Sequence, residues 1–313
     1  MTTENANPRG LLLIAGAMMV AGLMALSFFA RPGVGARPEP PAHPRRIVSL
    51  APSTTEILFA LGLDREVAGV TDFCAYPPAA ASLPRVGGFK GKSLEAIISL
   101  SPDLVIGTRD GNEPGLISAL QRLGVPVVTV EPATLSGVIE SILLIGRAVG
   151  HEDRALALNG ELISRLNEVK SRVRGSRPVK VLFVYGRNPL VLAGPGTFAD
   201  DMIRAAGGEN VAAGSLIPYP RFSMETVISM APEVIVEGVM GSEGLGSKQA
   251  AARSFWSRWD SLPAVRDGRI ALLDEDLIAR PGPRIFDGLE QLARALHPDR
   301  FEGPFPAGLE GKR

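Results

Sequence analysis

Ser93-Leu94-Glu95-Ala96-Ile97-Ile98-Ser99-Leu100-Ser101-Pro102-Asp103-Leu104-Val105-Ile106 returns 130 residues later as Ser223-Met224-Glu225-Thr226-Val227-Ile228-Ser229-Met230-Ala231-Pro232-Glu233-Val234-Ile235-Val236, alike in chemical type at almost every position. That spacing is far beyond a solenoid repeat of roughly 20 to 50 residues, so the duplication predicts two similar lobes with one site between them. In each copy a Ser stands where a helix N-cap belongs, a Glu follows in the first turn, and apolar residues recur at helical spacing. Pro102 or Pro232 is expected to stop the helix. Leu104-Val105-Ile106 or Val234-Ile235-Val236 then reads as a short strand buried on both faces of a parallel sheet.

Around the first copy, strands are expected at Ile47 to Leu50, Val67 to Val70 and Val125 to Val130. Helices are expected from Pro52 to Leu61, closed by Gly62, and over 114–123. Alternating strand and helix makes residues 45–150 an α/β lobe. The pattern changes between His151 and Arg174, where Leu156, Leu158, Leu162, Leu166 and Val169 lie among charges with no Pro. This predicts a long amphipathic helix acting as a strut over 151–175. A second lobe, 176–313, opens with a strand from Val179 to Val184 and continues through a Gly- and Pro-rich turn to a helix near Asp200 to Ala206. It closes with a strand from Arg269 to Leu273 and a helix from Ile285 to Leu296. The expected fold class is α/β: two Rossmann-like lobes with parallel sheets, joined by one long α-helix, with a ligand cleft between them.

With 313 residues, 45% of them hydrophobic and 21% charged, the chain can bury two ordinary cores. Its formal net charge is zero and no block of Lys and Arg is interleaved with aromatics, which argues against a nucleic-acid partner. Gly10 to Ala30 carries no charged side chain and lies between Arg9 and Arg31. It reads either as a long signal-peptide core, with Val34-Gly35-Ala36 offering small residues for cleavage, or as a helix anchoring the protein in the membrane. Residues 1–44 are thus a leader or anchor, ending in a Pro-rich spacer from Arg31 to Pro44. The only cysteine, Cys74, allows no intramolecular disulfide and stands too far along the chain to carry a lipid anchor after the apolar run. It reads as a small buried hydrophobe or, beside Phe73 and Tyr76, as a reactive thiol.

His43, His151 and His297 are scattered, with no second His at ligand spacing, so no protein-made metal site is expected. No phosphate-binding glycine motif follows a strand, and Ala193-Gly194-Pro195-Gly196-Thr197 reads as a turn. No Gly-x-Ser-x-Gly elbow occurs, and neither a catalytic residue nor a catalytic cofactor is expected. What stands out are side chains on loops after strands: Phe73, Tyr76, Phe89, Lys90, Arg109, Asn112, Tyr219, Asp276 and Arg280. Such loops gather at one edge of a parallel sheet. In a chain with only 5% aromatic residues, their placement in both halves favours a planar or bulky ligand held by stacking.

These residues carry a resemblance. From about Arg46 to Leu296 the chain resembles the class III periplasmic binding proteins of ABC importers, the family for vitamin B12, haem and ferric siderophores. Tyr76-Pro77-Pro78, Val86-Gly87-Gly88-Phe89 onward to Glu95, Arg109-Asp110-Gly111-Asn112, Ile217-Pro218-Tyr219-Pro220 and Arg280-Pro281-Gly282-Pro283-Arg284-Ile285 are most similar to its vitamin B12-binding members. The resemblance implies lobes that close by small angles over a preformed pocket, which avoids much ordering cost. It implies that Tyr76, Phe89 and Tyr219 hold a corrin ring, with Phe89 and Tyr219 standing where B12-binding members carry Trp. That departure keeps a haem-like cargo open. Lys90, Arg109 and Asn112 fall in pocket strings. Asp276 and Arg280 fall at polar pocket positions, where they would bond the ligand's amides or pair with each other.

Glu95 and Glu225 fall where family members meet Arg residues of the membrane subunits, and a permease dimer presents that surface twice. The alternative role for both carboxylates is to complement their helix N-termini. The implied function is periplasmic capture of cobalamin, or a related corrinoid, for an ABC importer made of a permease dimer and its ATPase. Haem or a ferric siderophore is the alternative cargo. A corrinoid-processing enzyme or chelatase using Cys74 is a further alternative.

Overall fold

The computed structural model describes residues 38–88, 91–111, 114–239 and 245–301. The expected apolar anchor at 10–30 lies outside the described residues. So do Phe89, Lys90 and Asn112. The first half runs β1 (Ile47–Ser49), α1 (Pro52–Ala60), β2 (Val67–Val70), α2 (Leu94–Ser99), β3 (Leu104–Thr108), α3 (Pro114–Arg122), β4 (Val127–Val130) and α4 (Leu135–Ala148). A long helix, α5 (Glu152–Val173), follows. The second half runs β5 (Val179–Arg187), β6 (Leu190–Leu192), α6 (Phe198–Ala205), β7 (Gly208–Asn210), α7 (Met224–Met230) and β8 (Val234–Val239). It ends with α8 (Leu245–Trp256), α9 (Pro263–Arg266), β9 (Ile270–Asp274), α10 (Glu275–Ile278) and α11 (Ile285–Leu296).

The first sheet is parallel throughout, in the order β2-β1-β3-β4. The second has the order β6-β5-β8-β9, with β7 also pairing β5. Its pairs are parallel except β5 with β6, a hairpin return that departs from the all-parallel expectation. Leu104 to Ile106 and Val234 to Val236 are buried as the uninterrupted β-branched runs require.

The duplication extends to the hydrogen bonds. Ile47 pairs with Leu104 in one sheet and Val181 with Val234 in the other. Ser93 accepts from the Ala96 amide at 3.1 Å, and Ser223 from that of Thr226 at 3.3 Å. Asp103 gathers the Arg45 and Arg46 amides at 2.8 and 3.0 Å, while Glu233 takes the Lys180 amide at 3.0 Å. The helices stop before Pro102 and Pro232, because the residue ahead of a proline is driven out of the helical region. In both copies it lands in the left-handed one, Ser101 at φ 47° and Ala231 at φ 49°.

On the strut, Ala155, Leu158, Leu162 and Val169 form the buried stripe and Leu166 packs against it. Leu156 is a correction to the expected apolar face. It is 52% exposed, because one residue further along a helix from Ala155 turns about 100° away from the stripe. Full burial of a side chain such as Leu162 contributes ~2 kcal/mol.

Helix α4 has no counterpart among the sequence expectations. Thr134 caps it by accepting from Gly137 at 3.0 Å. Gly146 lets it approach the strut so closely that a Cβ there would stand 2.4 Å from that of Ala155. The strut is bonded into both halves: Arg154 donates to the Leu61 carbonyl at 2.8 Å, and Arg165 pairs with Asp287 and Glu290 of α11. Asp201 of α6 also accepts from the Leu135 amide at 2.8 Å. One apolar core therefore runs through both halves, and the described residues from Glu39 on form one compact unit.

Candidate functional site

Parallel strands end where their loops can meet, and the two sheets send such loops toward one junction. From the first half come α1, just after β1, and the segment after β2 that holds Phe73 and Tyr76. From the second half comes the segment after β9. Arg280 donates to the Phe73 carbonyl at 3.1 Å, across a separation of 207 residues. Arg284 forks onto Glu56 at 2.7 and 3.2 Å, and its guanidinium lies 3.5 Å from the centre of the Tyr76 ring. Asp276 pairs with Arg280 at 2.9 Å, so the structure forms the ion pair that four-residue spacing allows.

Tyr219, 57% exposed, stands edge-on to Tyr185 with ring centres 5.6 Å apart, and Tyr185 leans on Phe183 at 5.2 Å. Packing pushes the Tyr185 phenol above its ordinary value, with Tyr219 and Glu275 adding to the effect, so it stays a neutral hydrogen-bonding group. Burial likewise pushes Glu275 up. The same carboxyl feels Arg280 and Asp276, which places the tyrosine pair within electrostatic reach of the ion pair. Tyr76 thus stands at the contact between the halves, while Tyr185 and Tyr219 form a ring pair within the second half.

The Tyr219 loop is held in place rather than free to sample. Gly194 donates to the Pro218 carbonyl at 2.7 Å and Leu192 to that of Pro220 at 3.0 Å. A Cβ on Gly194 would stand 2.5 Å from the Ile217 carbonyl, so a glycine is needed for this approach. The Ala193 to Thr197 segment is a turn, as its composition predicts, and Thr197 caps α6 by accepting from Asp200 at 3.2 Å. A hollow of about 580 Å³ flanks the same loop, lined by Val211, Leu216, Ile217, Pro220, Phe222 and Met230 among others. A second hollow, about 510 Å³, lies at the start of α5, away from the junction.

The expected residues do not all converge. Tyr76, Asp276 and Arg280 lie where the halves touch, and Tyr219 stands beside Tyr185 in the second half. Arg109 pairs with Glu131 at 3.1 Å, with side chains 71% and 49% exposed, a contact worth little in water. Glu95 and Glu225 are exposed, each in the first turn of its helix. The Glu95 carboxyl is held below the usual range by its own backbone amide and by Ser93, and that of Glu225 by Ser223 and then its own amide. The reactive reading of Cys74 is corrected. It is fully buried, with its sulfur 3.2 Å from Thr55 Oγ1 and 3.1 Å from Thr71 Oγ1.

Arg284 ends the string from Arg280 that the sequence marks, whereas Glu56, Tyr185 and Glu275 were not singled out. Glu56 reads as part of a helix-start string, Pro52 to Glu56, and Tyr185 as the residue after a strand. Only the scarcity of tyrosine marks the latter.

The sequence profile described as periplasmic binding protein matches residues 47–277. A vitamin B12-binding protein of Vibrio cholerae is 29% identical over 282 residues, covering 89% of this chain and 98% of its own. One from Yersinia pestis is 29% identical over 251 residues, covering 80% and 86%. Among solved structures, the vitamin B12-binding protein BtuF of Vibrio cholerae superposes with a TM-score of 0.71 at 28% identity, covering 81% of this chain and 96% of its own. The haem-binding protein RhuT of Roseiflexus sp. RS-1 superposes with a TM-score of 0.72 at 30% identity, covering 82% and 99%. These relatives are binding proteins, not enzymes. The α/β fold of two sheets is the one they share, and this chain belongs to the periplasmic binding protein family.

Proposed function

We propose that this protein captures cobalamin or a related corrinoid in the periplasm and hands it to an ABC importer. The observation carrying this reading is the contact between the two halves, where Arg280, paired with Asp276, bonds the Phe73 carbonyl and Arg284 stacks on Tyr76, in a chain similar over most of its length to vitamin B12-binding proteins. Flat rings offer stacking area, and the ion pair offers donors and acceptors to an amide-rimmed macrocycle. The division into lobes at 45–150 and 176–313, with a strut at 151–175, belongs to the proposal. So do ligand contacts by Phe89, Lys90, Arg109 and Asn112, and anchoring or export through residues 10–30. Glu95 and Glu225 are the proposed docking carboxylates for a permease dimer and its ATPase.

Haem is the second reading, favoured by the 30% identity to the haem-binding protein RhuT and by the absence of Trp at positions 89 and 219. Calorimetry and visible absorbance on the full-length chain, with cyanocobalamin, haem and a ferric siderophore as probes, separate the two. Saturable binding of cyanocobalamin is the expected result. Haem binding with no cobalamin binding replaces the first reading by the second. Tyr219→Ala is expected to weaken cobalamin binding roughly tenfold, since a stacked ring contributes about 0.5 to 1.5 kcal/mol beyond its buried area. An unchanged affinity removes Tyr219 from the site.

A further inference from the structure

Arg284 does two things at once, both across the lobe junction. Its Nη2 and Nε donate to the two oxygens of Glu56 at 2.7 and 3.2 Å, while its flat face covers the Tyr76 ring at 3.5 Å. The pair is shielded from water, with side chains 14% exposed for Arg284 and 3% for Glu56. Gly282 packs close against the carboxylate as well, where a Cβ would stand 2.9 Å from Glu56 Oε2. Glu56 and Tyr76 belong to the first half of the chain, Arg284 to the second, just ahead of α11.

The orientation of the guanidinium plane is set by a two-point fork, and that plane is what Tyr76 leans on. Stacking at this distance is short-ranged, so an ångström of separation forfeits much of it. Any movement that draws the halves apart must strip Arg284 from Glu56 and from Tyr76 together.

We propose that Glu56 and Arg284 are positioning residues forming a latch. They hold Tyr76 in its ligand-facing posture only while the lobes are together, so that a partner prying the lobes apart frees the ligand by unseating Tyr76. The ligand-facing part of this statement rests on the function proposed above.

Two measurements on the full-length chain test it, one without ligand. With 3-fluorotyrosine incorporated, the chain carries three fluorinated rings, and Tyr76→Phe assigns one resonance. Arg284→Lys keeps the charge but loses the fork and the flat face. It is expected to move the Tyr76 resonance toward that of free fluorotyrosine and to leave those of Tyr185 and Tyr219 in place. The second measurement is the rate of release of cyanocobalamin, with haem run in parallel. Arg284→Lys is expected to speed release roughly tenfold, and to add nothing further in a Tyr76→Leu background.

A fixed Tyr76 resonance, or an acceleration that adds to that of Tyr76→Leu, overturns the latch. Should wild-type chain bind neither probe, the ligand reading fails while the fluorine spectrum still decides whether the pair seats Tyr76. If Arg284→Lys does not fold, Glu56→Gln, which keeps the shape and removes the charge, carries both measurements. Unfolding of both variants overturns the proposal by assigning the pair to the fold alone.

Discussion

Replacing Glu95 and Glu225 together by Ala is expected to leave ligand affinity of the isolated chain intact and to abolish ligand uptake by cells that depend on this protein. Both carboxylates are exposed, and each is kept ionised by a serine and a backbone amide of its own helix turn. They occupy the same place in the two copies of the repeat, 130 residues apart. A two-fold partner with one cation per subunit would meet one carboxylate on each lobe, so removing both deletes the contact on both sides. Calorimetry on the purified double variant and accumulation of labelled cobalamin in cells check the two halves of the statement. Loss of affinity in the isolated variant would mean that the carboxylates support the pocket instead. Uptake at the wild-type rate would remove both from docking.

Arg165→Met is expected to destabilise the protein by about 3 to 5 kcal/mol at pH 7. Arg165 binds Asp287 and Glu290 from the strut, and its side chain is 11% exposed against 17% and 8% for theirs. Methionine fills much of the same space but leaves the two carboxylates without the guanidinium that both of them bond. Burial already pushes the Glu290 carboxyl above its ordinary value, and the Arg165 hydrogen bond is what restrains it.

Without that restraint, the folded-state value of the Glu290 carboxyl rises further above that of the unfolded chain. A carboxyl of this kind adds stability below its unfolded value, and that stability is lost as pH rises through the folded one. The deficit of the variant is therefore expected to shrink as pH falls from 7 toward 5. Urea unfolding at both pH values measures it. A loss below about 1 kcal/mol, or one that does not change with pH, would show that the triad behaves as a solvated surface pair.

Much of the architecture could be read along the chain because its determinants are local. The capping serines, the β-branched runs and the prolines each act within a few residues, and the closing helix falls at Ile285–Leu296 as its periodicity predicts. The hairpin strand β6 and helix α4 escaped, the first because three residues carry no pattern of their own. In α4, Leu135, Val138, Ile142 and Ile145 do repeat at helical spacing behind the Thr134 cap, so that helix too is written locally. Tyr76, Tyr219 and the Asp276–Arg280 spacing were legible from their loops, and Tyr185 was not. Arg109 stood in an equally suggestive string, and only the structure pairs its side chain with Glu131.

The sequence alone determined that this protein is a duplicated α/β unit with ring-bearing loops, since repetition, hydrophobic period and turn chemistry are written in neighbouring residues. Only the tertiary structure decided that Glu56 faces Arg284 across 228 residues and that Tyr185 backs Tyr219. A buried ion pair and a ring packed edge-on depend on which surfaces the two halves press together. That choice is made by the shared core as a whole, not by any segment of it.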